Sequence, residues 1–290
     1  MGAEVSLLRR LIKVFPLILL LPACAIIHSE STPQIGLLAP FEGRYREVGY
    51  NALYAARLAL QDAGQTKIEL LPIDDGGSPA SAADRAQVFA SDKTVKAMLV
   101  LGYAASSEPV QAAAGDLPII VVGSWSAQPS RETVFVLTNA ENGQVTTAPP
   151  DIGVTDAAKL KAPVTGGDVF ALEQFAKLRD SLEGITVVSS GSLPDSSFRD
   201  RYVHSANFAP EPGLLATLTY DAARLAIRAL GDGTFSRAEV LRQIAVANYQ
   251  GLNGVIRFQN GFWADAPIHY YGYNAESNLI PVAAPQSSTP

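Results

Sequence analysis

Residues 35–64, Ile35-Gly-Leu-Leu-Ala-Pro-Phe-Glu-Gly-Arg-Tyr-Arg-Glu-Val-Gly-Tyr-Asn-Ala-Leu-Tyr-Ala-Ala-Arg-Leu-Ala-Leu-Gln-Asp-Ala-Gly64, decide how the chain is read. The apolar run 35–39 is too short for a helix and suits a strand buried on both faces. A polar turn carrying Gly43 and Gly49 follows. Beyond it Leu53, Ala56 and Leu60 recur on one helical face, and Gly64 supplies a C-terminal stop. Strand, glycine-containing loop and helix open a βαβ unit. In parallel α/β sheets the loop at the carboxyl end of such a strand is where ligands bind.

The same alternation continues downstream. A second strand over 67–73 ends in Asp74-Asp75-Gly76-Gly77, and Ser78-Pro79 supplies an N-cap and first helical position for a helix to about Ser91. Strands follow at 97–101, 117–122 and 133–137, with a short Ala-rich helix after Ser106-Ser107. Strands alternating with helices imply a mostly parallel sheet with right-handed crossovers. Residues 139–158 carry Gly143, Pro149, Pro150 and Gly153 and form a loop. A strand at 162–165, a helix over 170–181 and a strand at 185–189 come next. A long helix spans 214–230 with Gly231 and Gly233 behind it. Ser236-Arg237-Ala238-Glu239 is a capping box opening another helix. Residues 255–258, the Asn260-Gly261 turn and residues 268–273 form the last strands, and the tail from Ala283 frays.

The whole chain has 290 residues, 48% apolar and 17% charged, enough to build a substantial core. A net charge of −6 argues against a broad nucleic-acid-binding surface. Arg9, Arg10 and Lys13 precede the apolar run 14–21, the order of a secretory signal. The run ends in Leu21-Pro22-Ala23-Cys24, which resembles a bacterial lipoprotein processing box with Pro22 as a departure. Cys24 is the only cysteine, which rules out an intrachain disulfide and fits lipidation better than catalysis. The expected address is extracytoplasmic, lipid-anchored to a membrane.

Several stretches together resemble the type I periplasmic solute-binding proteins of the leucine/isoleucine/valine-binding kind, which serve ABC importers. They are residues 35–60, DDGGSPASAADRAQVF at 74–89, LVLGYAASS at 99–107, LPIIVVGSWSA at 117–127, LKAPVTGGD at 160–168, TLTYDAARLAIRAL at 217–230 and GLNGVIRFQNG at 251–261. The resemblance implies two α/β lobes with mostly parallel sheets and a ligand trapped between them. Lobe one comprises 34–138 and 192–252; lobe two comprises 139–191 and 253–282. The second lobe is reduced, because about twenty loop-like residues stand where the family places several βα units. The implied function is capture of an amino acid or similar small polar ligand, with delivery to ABC permease subunits. An alternative on the same fold is a non-transport interaction lipoprotein, such as a cell-wall-synthase activator, which the Gly43-Arg44-Tyr45 segment also resembles.

Short hydroxyls and free backbone N–H groups at a helix start suit a carboxylate. Ser106, Ser107 and Ser126 match the family's carboxylate-binding loops, with Ser124 beside them and Trp125 as an aromatic wall. The same serines equally serve as helix caps. Asp168 matches an acidic partner for an ammonium, or caps the helix expected near Phe170. Asp74 and Asp75 match an acidic pair common in the family, and shape their loop. Val48 matches an aromatic ligand contact of relatives, which Tyr45 replaces or the chain lacks; Arg44 meets an anionic ligand or solvent. His28, His204 and His269 form no spaced metal motif, and neither a G-x-S-x-G elbow nor a phosphate loop occurs. The expectation is therefore a non-enzymatic binding protein with no cofactor and no metal.

Overall fold

Gln34–Ala39 forms β1, with all but its first residue buried, as a strand covered on both faces requires. A 3-10 turn at Gly43–Tyr45 leads into α1, Arg46–Asp62. The computed structural model describes residues 32–64, 67–139 and 145–285. The expected signal segment with Cys24, and residues 286–290 of the expected tail, lie outside them.

The remaining strands of the first half are β2 (Glu69–Asp74), β3 (Val95–Val100), β4 (Ile119–Val122) and β5 (Val134–Leu137). Helices α2 (Pro79–Ser91) and α3 (Glu108–Ala113) connect them. The strands run parallel in the order β5-β4-β3-β1-β2. Register aligns their carboxyl ends: Leu38 sits opposite Val100, Val100 opposite Val121, and Val122 opposite Leu137. The loops after β3, β4 and β5 therefore emerge side by side, where parallel sheets bind ligands. Ser78 caps α2 as its sequence implies, its Oγ accepting the Ser81 N–H at 3.2 Å with Pro79 behind it.

The second half contains α4 (Val154–Ala157), β6 (Val164–Gly166), α5 (Glu173–Lys177) and β7 (Ile185–Ser189), then α6 (Ser196–His204), α7 (Leu214–Leu230) and α8 (Arg237–Ala245). Short strands β8 (Tyr249–Gln250), β9 (Val255–Ile256), β10 (Phe258–Gln259), β11 (Phe262–Trp263), β12 (His269–Tyr273) and β13 (Leu279–Pro281) complete it. A four-stranded sheet, ordered β13-β12-β7-β6, holds one parallel pair, β6 with β7; β12 and β13 are antiparallel.

Three local readings are corrected. The Asn260-Gly261 turn has both residues at positive φ, 53° and 79°, as a two-residue type I′ hairpin requires. Its second strand is β11, not residues 268–273, which pair in the other sheet. β11 runs parallel to β5, so this hairpin extends the larger sheet although the resemblance assigns 253–282 to lobe two. The helix expected over 170–181 is a 3-10 turn, Asp168–Ala171, and the five-residue α5, broken at extended Leu172. The break turns Leu172 into the core and exposes the Glu173 N–H, which the Glu47 carboxylate accepts at 2.9 and 3.1 Å. Within 139–158, α4 adds one helical turn to the expected loop.

Arg237 joins α8 to the larger sheet. Although buried, its guanidinium donates to the carbonyls of Phe89, Ala90, Asp92 and Val95 and to Asp116 Oδ1. It thereby satisfies the open carbonyls at the end of α2. The core is continuous: Leu37, Leu99 and Val121 of the larger sheet belong to the same buried cluster as Val164, Val187 and Tyr271 of the smaller. The described residues make one compact unit.

Candidate functional site

The aligned carboxyl ends of β3, β4 and β5 open onto a cavity of about 270 Å³. The loop after β4 supplies its floor. Gly123 turns at φ +94° with Leu215, Trp125 and Asp168 so close that a Cβ would meet them at about 3 Å. Trp125 follows, buried, its indole N–H donating to the Val122 carbonyl at 2.6 Å. That bond turns the ring onto Tyr103 from the loop after β3, edge to face at 5.4 Å. Ser126 lies at φ +57°, a region sparsely populated by residues with side chains, and faces the cavity from an exposed position.

The opposite wall comes from the second half. Segment 146–152 crosses the mouth with Ala148, Pro149, Pro150 and Ile152, and Gly167, Val169 and Phe170 close the side. The segment is held at several points. Thr147 and Ala148 donate backbone N–H groups to the Thr165 carbonyl, and Tyr103 Oη bonds the Ile152 carbonyl at 3.1 Å and that of Pro150 at 3.3 Å. Burial pushes the Tyr103 phenol above its ordinary value. Phe262 of β11 and Thr138 after β5 complete the wall.

Ser124, Trp125 and Ser126 thus line the cavity, and the other expected residues are placed differently. Ser106 and Ser107 donate their hydroxyls to the Gly102 and Ala104 carbonyls at 2.7 Å and lie off its wall. Ser107 occupies the N-cap of α3 without a side-chain capping bond. Arg44 and Tyr45 brace the neighbouring segment: Arg44 Nη1 donates to Thr155 Oγ1 at 2.6 Å, and Tyr45 Oη accepts the first N–H of α4, from Val154, at 2.8 Å. Val48 is core, wholly buried in α1. Asp74 accepts the Phe41 and Gly76 N–H groups and Asp75 that of Gly77, which are loop-shaping bonds.

Asp168 is 0% exposed and neither solvated nor a helix cap. Its Oδ2 accepts the N–H and hydroxyl of Ser124 at 2.7 and 2.8 Å, and its Oδ1 accepts the hydroxyl of Ser189, at the end of β7, at 2.6 Å. The carboxylate therefore ties the larger sheet's β4 loop to the smaller sheet. Burial pushes its pKa above the ordinary range, against these donors. Gly167 makes the approach possible, since a Cβ there would lie 2.6 Å from Ser124 Oγ. The sequence gives no warning of this tie, because Ser189 ends a generic strand. Ile152, Phe170 and Phe262 also line the cavity without a ligand signal in the sequence. Tyr103, one residue after Gly102 at a strand end, carried a positional signal.

The sequence model of a family described as periplasmic binding protein matches residues 32–150. Solved structures align over most of the chain. A branched-chain amino acid transporter substrate-binding protein, LivJ of Streptococcus pneumoniae, in complex with isoleucine, is 16% identical, with TM-score 0.66 over 87% of this chain and 100% of that one. A leucine-binding protein, LivK of Thermotoga maritima, is 14% identical, with TM-score 0.69 over 87% and 98%. The chain has the type I periplasmic binding protein fold. An ABC transporter solute-binding protein from R. palustris in complex with benzoate shares that fold at 13% identity, TM-score 0.66, over 86% and 95%. No curated protein matches the sequence. On this periplasmic binding protein fold the cavity occupies the strand ends that parallel sheets use for ligands. Among the described residues no His, Cys, Asp and Glu group is placed to hold a metal ion, and no helix is long and apolar enough to cross a membrane.

Proposed function

We propose that the protein is an extracytoplasmic solute-binding protein that captures one small molecule, of amino-acid size or somewhat larger, in the cavity beside Trp125. The observation that carries this reading is the convergence of Ser124, Trp125 and Ser126 on a walled cavity at the strand ends of a periplasmic binding protein fold. An engineered cavity of ~150 Å³ takes up benzene, so about 270 Å³ accommodates a larger solute. Lipidation of Cys24 would hold the protein to its membrane, and permease subunits of an ABC importer would receive the ligand. The test is thermal shift followed by calorimetry against a solute panel. A ligand at 100 times its Kd raises stability by about 2.7 kcal/mol, so a concentration-dependent rise in Tm is the expected result. The absence of any rise across the panel contradicts the reading.

A second reading, a non-transport interaction protein on the same fold, is favoured by Phe208. This residue is 94% exposed on left-handed backbone, φ +74°, where a bulky side chain is rare. Retention of a cell-wall synthase by wild type but not by Phe208→Ser, with no solute response, is the pattern that reading requires.

A further inference from the structure

Resting on the solute-binding reading, we propose that the cavity selects an uncharged ring compound bearing one or two hydrogen-bonding groups, and discriminates against the amino-acid zwitterion. Its wall presents ring and aliphatic surface from Tyr103, Trp125, Ile152, Val169, Phe170 and Phe262. The polar edges of the first two are already engaged. Trp125 gives its N–H to the Val122 carbonyl, and Tyr103 gives its hydroxyl to the carbonyls of the crossing segment. What these residues offer the cavity is aromatic surface, which favours a flat apolar body.

The polar groups of the described wall are neutral. Ser126 Oγ and the Gln128 side-chain amide lie at exposed positions of the rim and provide a donor and acceptors for a hydroxyl, amide or carbonyl. The described wall contains no Lys, Arg, Asp or Glu. Asp168, behind the wall, has its oxygens taken by Ser124 and Ser189, with Gly167 and Val169 on the cavity side, and Asp151, between Pro150 and Ile152 of the crossing segment, lies at an exposed position off the described wall. Against the described wall an ammonium loses water without gaining a carboxylate, and a carboxylate loses water without gaining a cation. Either loss disfavours the charged form of a ligand of the same shape.

The test uses the full chain and shape-matched probes. Benzamide and indole are compared with benzoate, benzylamine, phenylalanine, tryptophan and leucine by thermal shift and calorimetry. The expected result is saturable binding of an uncharged probe at least tenfold tighter than its charged counterparts, with little dependence on pH between 5 and 8. Ala127→Phe, which fills the cavity, is expected to abolish that binding. If this variant fails to fold, Gln128→Ala at the exposed rim is expected to weaken binding three- to tenfold. Tighter binding of any charged probe, or loss of neither affinity in the folded variants, overturns the inference while leaving a solute-binding protein. No binding by either class overturns the solute-binding reading with it.

Discussion

Two hollows lie on either side of Asp168, and they differ in size and in chemistry. The cavity beside Trp125 measures about 270 Å³ and its described wall is uncharged. On the other side a more open groove of about 800 Å³ runs past Glu47, Glu173, Lys177, Arg199, Glu211 and Glu276. The groove is larger, yet all of these charges but Glu276 have partners within the fold. Glu47 accepts the Glu173 N–H, Lys177 pairs with Glu173, and Arg199 pairs with Glu211. The cavity, by contrast, presents aromatic faces and, at exposed positions of its rim, the Ser126 hydroxyl and the Gln128 amide. Volume is therefore a poor guide to the site, and the position of the aligned strand ends is a better one.

The largest effect follows from removing the partition itself. Asp168→Ala leaves the hydroxyls of Ser124 and Ser189 and the Ser124 N–H without their acceptor in a buried place. The expected loss is on the order of 3 kcal/mol in urea unfolding, together with loss of ligand binding. A change below about 1 kcal/mol would mean that the tie between the two sheets is dispensable. Next in size is Tyr45→Phe, which removes the acceptor for the first N–H of α4 and costs about 1 kcal/mol. It should also raise the ligand dissociation rate in stopped-flow fluorescence, since the braced segment lies beside the cavity mouth. An unchanged rate would separate that bracing from the site.

The groove should titrate where the cavity does not. Burial raises Glu47 above its ordinary value, opposed by the Glu173 N–H. A carboxyl raised in the folded state holds its proton longer there than in the unfolded chain. Its contribution is therefore fully present below the unfolded pKa of ~4.3 and is lost as pH rises toward the folded value. Glu47→Gln should flatten this part of the pH–stability curve above pH 4 while leaving ligand affinity unchanged. A matching pH dependence of affinity would join the two hollows. The smallest effect belongs to Lys177→Ala, whose pair with Glu173 is well exposed and spans one helical turn. Its removal should cost no more than about 0.5 kcal/mol.

What could be seen in the sequence was whatever depends on neighbours in the chain. The buried run 35–39, the Ser78-Pro79 entry, the Ser236 capping box and the bounds of Leu214–Leu230 follow from local chemistry and stand as expected. The same local logic placed Ser124, Trp125 and Ser126 at a strand end, and they line the cavity. Features set from afar were not visible. The helix break at Leu172 depends on Glu47, 126 residues away, and the partition joins Ser124, Asp168 and Ser189 from three separate elements. α6 went unseen because only Phe198 and Tyr202 are buried along it, too few to mark a helical face. Ser106 and Ser107 resemble ligand groups in sequence, but their hydroxyls turn back onto carbonyls within four residues.

The most direct test of the account is hydrogen exchange on the full chain, with and without the probe that gives the largest thermal shift. The account predicts ligand-dependent protection in 123–128 and 146–152, with no change in 173–177, 210–213 and 276–279 along the groove. Protection confined to the groove segments would contradict it.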